Sequence, residues 1–146
     1  MVLPGLDIDD QATASKVRKF LTKDLDKYLA LAGDQRENLK SPSITGMPKA
    51  APVGNATEDH FLDVIIAEAT IDCVKRAIAN CTLTSRNILT LCYLDCLTDW
   101  KVAQRLNYSP SRYNDLKRKA LCEFAGRYRY QAKFAGITDS ELNVYR

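Results

Sequence analysis

Residues 83–124 read LTSRNILTLCYLDCLTDWKVAQRLNYSPSRYNDLKRKALCEF, and this stretch decides the fold. Thr84 and Ser85 open a short helix whose inner face is Ile88, Leu89, Leu91 and Cys92, continued by Leu94 or Cys96. Thr98 suits the N-cap of a second short helix, Asp99 to Leu106, with Val102, Ala103 and Leu106 turned inward. Ala103 is small enough to let two helices approach closely. Asn107 stands where the chain must reverse, and asparagine tolerates the left-handed conformation that such a turn needs. Ser109 and Pro110 then restart a helix, the serine as cap and the proline at the first helical position. A short helix, a tight turn and a basic amphipathic helix make the layout by which a helix-turn-helix sets its second helix in the major groove of DNA.

At about 100° per residue, the helix from Pro110 gathers Tyr113, Leu116, Ala120 and Phe124 on an inward stripe. Ser111, Asp115 and Arg118 point nearly opposite. Arg112 and Lys119 flank one edge of that outward face and Asn114 the other, while Lys117 lies closer to the buried side and reaches phosphate by snorkelling. These side chains suit base edges: arginine grips guanine with two bonds, asparagine pairs with adenine, and aspartate accepts from cytosine N4. The expected DNA-binding set is therefore Ser109, Ser111, Arg112, Asn114, Asp115, Lys117, Arg118 and Lys119. Farther along, Arg127, Tyr128, Arg129, Tyr130 and Lys133 extend the basic face toward phosphate or a partner.

The charge distribution agrees with that reading. Residues 84–146 hold 11 Lys/Arg against 6 Asp/Glu, whereas residues 1–83 hold 10 against 12. The excess of positive charge thus sits in the half that carries the turn motif, as a phosphate-facing surface requires.

The rest of the chain is expected to be helical around one break. Residues 10–33 place Ala14, Val17, Leu21, Leu25, Tyr28 and Ala32 at spacings of three and four, with Gly33 as a stop. The opposite face carries Lys16, Lys19, Lys23 and Asp26. Asp24 and Asp26 weaken any membrane or nucleic-acid role for that face and favour a packed surface helix. Residues 34–56 hold Pro42, Pro48 and Pro52 with Gly46 and Gly54, so no helix or central strand is expected there. This is an extended linker or a docked loop, in which Ile44, Met47 and Val53 are apolar enough to grip a surface.

Residues 57–81 are expected to form the longest regular helix, capped by Thr57 with Glu58 and Asp59 in its first turn. Val64, Ala67, Ile71, Val74, Ile78 and Cys81, with Phe61 one step before, make a coiled-coil-like seam. Leu62, Ile65, Ile66 and Ala69 make a second strip. One strip buries against the C-terminal module. The other meets the N-terminal helix or a second subunit, so a homodimer through residues 57–81 and plain core packing both remain open.

The composition, 46% hydrophobic over 146 residues, supports a real core. The expected organisation is all-α: an N-terminal amphipathic segment (1–33), a Pro/Gly-containing linker (34–56), and a long central helix with the helix-turn-helix module (57–146). No apolar run reaches the ~18 residues of a membrane span, and the acidic start lacks a secretory core, so a cytoplasmic protein is expected. The odd cysteine number (Cys73, Cys81, Cys92, Cys96, Cys122) reads as reduced thiols, with Cys73 and Cys81 on apolar stripes and Cys122 the most exposed. Their spacing fits no zinc finger, and the single histidine, His60, lies far from them in sequence and is expected to be solvated. No Gly-rich phosphate loop and no nucleophile–base set occurs, so neither an enzyme nor a bound cofactor or metal is expected.

The same residues carry a family likeness. Val102 and Ala103 followed by Leu106, Ser109 with Tyr113, Leu116, and Ala120 with Leu121 make Leu83 to Phe124 resemble region 4 of sigma-70-type factors. Lys101 departs from that pattern, replacing an acidic residue, and Asn107 replaces a frequent glycine. The chain as a whole resembles the ArpU-like and RinA-like regulators of phage late transcription. The N-terminal helix, the segment Ser41 to Pro48, the Gly54–Asn55 pair before an acidic helix start, and the sigma-like end fit in that order. The resemblance implies an activator of phage or prophage late genes, such as those for packaging, morphogenesis or lysis, in a Gram-positive bacterial host. A DNA-binding regulator of this kind is expected to be nucleoid-associated and to act on a promoter or operator site, with its other helices dimerising or touching RNA polymerase. Three rivals share the motif: a sigma-like factor that joins core polymerase, a ring-forming small terminase subunit that binds a packaging site, and a protein-binding adaptor. A complete sigma factor would need a second helical domain with aromatic residues for promoter melting, which the sequence does not offer.

Overall fold

The structure, a computed structural model, describes residues 7–40, 58–137 and 141–145. The proline-bearing part of the linker and the Thr57 cap lie outside the described residues, as do the side chains of Glu58 and Asp59. Among the described residues the chain is all-α, with no strand beyond an isolated antiparallel bridge between Ile8 and Tyr145.

Helix α1 (Asp10–Lys19) starts at Asp9, whose carboxylate accepts from the Ala12 N–H at 3.1 Å. A single π turn, Phe20–Asp24, joins it to α2 (Leu25–Ala32), and the Thr22 hydroxyl donates back to the Arg18 carbonyl at that point. Gly33, at φ 65°, closes α2, and the Asp34 N–H bonds to the Leu29 carbonyl at 2.9 Å. The π turn changes which side chains point inward. Phe20 and Leu21 are both buried, and Leu29 is buried where the regular spacing selects Tyr28 and Ala32, which are only half-buried.

Part of the expected linker is ordered structure. Arg36–Leu39 is a 3-10 turn with Leu39 buried; the prolines that forbid a helix begin only at Pro42. Arg36 donates to the Tyr93 carbonyl at 2.7 Å and pairs with Asp26 at 2.6 Å, and Lys40 pairs with Asp95. The bonds to Tyr93 and Asp95 hold the end of the helical segment 83–94 from outside it.

Helix α3 (Glu58–Ala79) buries Ala67, Ile71, Val74 and Ile78, and Cys81 just beyond it, as the seam predicts; Val64 is half-buried and Phe61 is exposed. In the second strip Leu62, Ile65 and Ile66 are about half exposed and Ala69 is half-buried.

Helix α4 begins one residue before the expected opening (Leu83–Leu89) and continues into a second π turn, Thr90–Leu94. The insertion buries the adjacent Tyr93 and Leu94, leaves Leu91 and Cys92 half-buried, and turns Cys96 out to solvent. Then come α5 (Asp99–Leu106) and α6 (Pro110–Ala135). Helices of seven or eight residues are below the roughly 12–15 at which isolated helices become even marginal, so α4 and α5 depend on packing. Full burial of Ile88, Leu89 and Val102 supplies it, at about 1.5–3 kcal/mol per large aliphatic side chain.

Helix α6 is the hub: α1, α3 and α4 all lie against it. Phe20 sits 5.0 Å from Tyr128 and 6.3 Å from Phe124, whose ring stacks on Tyr128 at 5.7 Å. The tail returns to α1, where Asp9 N–H bonds to the Val144 carbonyl and Val144 N–H to the buried Thr13 hydroxyl. The buried side chains of α1 and α2 join those of α3 to α6 in one core.

Candidate nucleic-acid interface

The turn between α5 and α6 is built by its own sequence. Thr98 Oγ1 accepts from the Lys101 N–H and caps α5. Asn107 adopts φ 61°, and the Asn107 and Tyr108 N–H groups bond back to the Gln104 and Ala103 carbonyls. Ser109 Oγ accepts from the Arg112 N–H at 3.2 Å, with Pro110 first in the helix. The chain reverses between the two helices over Asn107, Tyr108 and Ser109.

A polar network sets the angle of the second helix. Tyr113 is buried beneath α6; its hydroxyl donates to Asp99 at 2.7 Å and lies 2.9 Å from the Cys92 sulfur. Lys117 donates to the same Asp99 oxygen at 2.6 Å, and its ammonium lies 5.6 Å over the Tyr93 ring. Asp99 therefore ties the start of α5 to the second and third turns' worth of α6, while Cys92 ties both to the π turn. Partial burial works to raise the Asp99 carboxyl. The bonds from Lys117 and Tyr113, with the Lys117 and Arg18 charges, outweigh it and hold the group below the usual range.

Lys117 lies toward the buried side of α6, as its helical position implies. Its side chain is only 12% exposed and turns back onto Asp99, because that carboxylate is the nearer anion. Ser109, Ser111, Arg112, Asn114, Arg118 and Lys119 are exposed and Asp115 half-exposed. Asp115 gathers three cations: Arg118 at 2.7 Å, Lys119 at 3.2 Å and Arg112 at 3.8 Å. The Lys119 bond, with the Arg118 and Arg112 charges, holds its carboxyl below the usual range. The outward face thus offers guanidinium and ammonium groups arranged around one carboxylate, with a hydroxyl and an amide beside them.

Beyond Ala120 the expected basic extension is thinner. Tyr128 is a core residue, stacked on Phe124, and Arg129 is engaged with Glu141 at 3.2 Å. Arg127, Tyr130 and Lys133 remain exposed. The thiols are also reordered. Cys122 is half-buried, donates to the Asp10 carbonyl, and is pushed up to about 11 by burial; Cys96 is the exposed one. Burial, then the Glu123 charge, pushes Cys81 up to about 12.

Two contributors were invisible to the sequence reading. Glu123 accepts from Thr82 Oγ1 and Ser85 Oγ as well as the Thr82 backbone N–H, capping α4 from α6. Along the other side of α6, Gln11, Ser15 and Arg18 of α1 share a polar groove with Asn114, Lys117 and Arg118. No local signal marks either, since both join elements far apart in the chain.

The fold and this face define an all-α protein with one polar, cation-rich helix edge held on an apolar hub. Over 126 residues, covering 85% of this chain and 91% of the relative, it is 32% identical to a protein of Enterococcus hirae named "Putative autolysin regulatory protein ArpU". The chain belongs to the ArpU family. No family model and no solved structure matches it. No helix among the described residues is long and apolar enough to cross a membrane.

Proposed function

We propose that this protein binds duplex DNA sequence-specifically through the first half of α6 and regulates transcription, as an activator of phage or prophage late genes that touches RNA polymerase. The observation that carries the reading is the pairing of a tight α5–α6 turn with an α6 face whose polar side chains are exposed while its orientation is fixed from beneath. Arg112, Asn114, Asp115 and Arg118 supply base-reading chemistry. Ser109, Ser111 and Lys119 suit the flanking phosphates. Lys117 acts as a positioning residue through Asp99. The name of the relative supports a regulatory role.

A second copy is the partner that the exposed Leu62, Ile65 and Ile66 strip suits, because two-fold pairing would present two recognition helices to adjacent half-sites. An Ile66→Asp variant that keeps the wild-type mass in sedimentation equilibrium would remove that part of the reading.

The deciding experiment is affinity selection of sheared genomic DNA of the source, with an Arg112→Ala/Arg118→Ala protein as control. A sharp peak upstream of a late operon, absent in the control, is the expected result. A peak at a packaging site would replace the regulator with a terminase-like subunit. Retention only with core polymerase would make it sigma-like, and no retention at low salt would make it a protein-binding adaptor.

A further inference from the structure

We propose that α1 is a second wall of the DNA-binding surface, and that Gln11, Ser15 and Arg18 hold the phosphodiester strand bordering the groove that α6 enters. The inference rests on the DNA-binding reading of α6. Its basis is a juxtaposition that the α5–turn–α6 unit does not itself supply: the three side chains face Asn114, Lys117 and Arg118 across one groove.

The three residues follow one another at i, i+4 and i+7, so they form one line along the helix surface. All three are exposed, and none is acidic. An amide, a hydroxyl and a guanidinium are the donors that phosphodiester oxygens accept. The wall is held against α6, since the Phe20 ring just past α1 packs against both Phe124 and Tyr128 and the Cys122 thiol bonds to the Asp10 carbonyl. A flank held in this way loses little freedom on binding, which favours a positioning contact.

Two carboxylates also line the groove, and both are occupied. Asp9 caps α1 through the Ala12 N–H, and Asp99 receives Lys117 and Tyr113. The groove cations Arg18, Lys117 and Arg118 outnumber them by one. Lys117 is spent on Asp99 and Arg118 on Asp115; Arg18 makes no ion pair at salt-bridge distance among the described residues, though its guanidinium lies beside the Tyr93 hydroxyl and its charge also acts on Asp99.

The test is fluorescence anisotropy over a salt series, using a short duplex carrying the sequence recovered by genomic selection and a scrambled duplex of equal length. Arg18→Ala should weaken both by a similar factor, roughly three- to ten-fold near physiological salt, and lower the slope of log K against log salt by about one. Arg18→Lys should restore the slope, which a merely structural role would not. Lys27→Ala, which removes an exposed charge from α2, should leave the slope unchanged. Unaltered affinity and slope for Arg18→Ala would overturn the proposal while leaving the α6 reading intact. So would a loss confined to the selected duplex, or an equal loss in Lys27→Ala. If the wild-type protein binds neither duplex, the α6 reading fails first and this one with it.

Discussion

The two halves of α6 are made of the same helix and do opposite things. From Ser111 to Lys119 its outer side is polar and exposed, and its inner side is held by Tyr113 and Lys117 bonding to Asp99. From Ala120 to Ala132 its inner side is buried against its neighbours, with Phe124 and Tyr128 stacked on each other and Phe20 against both. The difference teaches that presentation and stability are separated along one element. A helix carrying Arg112, Asp115, Arg118 and Lys119 together has little reason to stay in place by itself. The apolar half holds it, and the Asp99 network sets its orientation.

The sharpest way to break that division is Phe124→Ala. Removing a ring with no solvent exposure from the aromatic cluster should cost about 3–5 kcal/mol in chemical denaturation, with DNA binding lost only where the protein unfolds. A well-folded Phe124→Ala protein that fails to bind DNA would show that the two halves are not separable. Arg118→Ala is the mirror case. It should leave the melting temperature nearly unchanged and reduce discrimination between specific and random duplex by roughly 1–3 kcal/mol. Equal weakening on both duplexes would demote Arg118 to a phosphate contact.

Much of the exposed half was legible because its signals are local. Thr98, Asn107, Ser109 and Pro110 each act within a few residues of themselves, and the structure uses each as the sequence suggests. What the sequence hid is long-range or irregular. Tyr113 and Lys117 meet Asp99 across 14 and 18 residues, and Glu123 reaches Thr82 across 41. Both π turns shift the inward face, so the core includes Phe20 and Tyr93, which the stripes read from the sequence left out. Lys117 lies toward the buried side, as its helical angle in the sequence implies, but the anion it turns to there, Asp99, is not visible in the sequence.

Glu123 sits at the seam between the halves and offers an intermediate effect. Burial works to raise its carboxyl, but bonds from Ser85 and Thr82 and the Arg127 charge hold it below the usual range. A carboxyl lowered in the folded state contributes stability that is complete above its unfolded pKa and is lost as pH falls through the folded value. Unfolding free energy should therefore decline below about pH 4.5, with Asp99 contributing in the same direction. Glu123→Gln should flatten part of that decline and cost about 0.5–2 kcal/mol at neutral pH through the weakened α4 cap. An unchanged acid profile would mean that the cap persists with the carboxyl protonated.

The smallest effects test the two turns that flank α5. Cys96 and Asn107 both lie in the left-handed region, at φ 57° and 61°. Asparagine is suited to that region and cysteine is not, so the strain sits before α5 and not in the turn that orients α6. Asn107→Gly should change stability by only a few tenths of a kcal/mol, since both residues tolerate the left-handed conformation. Cys96→Gly should stabilise by up to about 1 kcal/mol, since relief of the left-handed penalty exceeds the entropy glycine adds to the unfolded chain. Both are read from urea denaturation midpoints at unchanged slope. If Cys96→Gly instead destabilises, the weak Cys96 thiol bond to the Tyr93 carbonyl, at 3.8 Å, matters more than the strain. The same carbonyl accepts from Arg36, so that outcome would move the anchoring of the α4 segment from the 3-10 turn to the loop before α5.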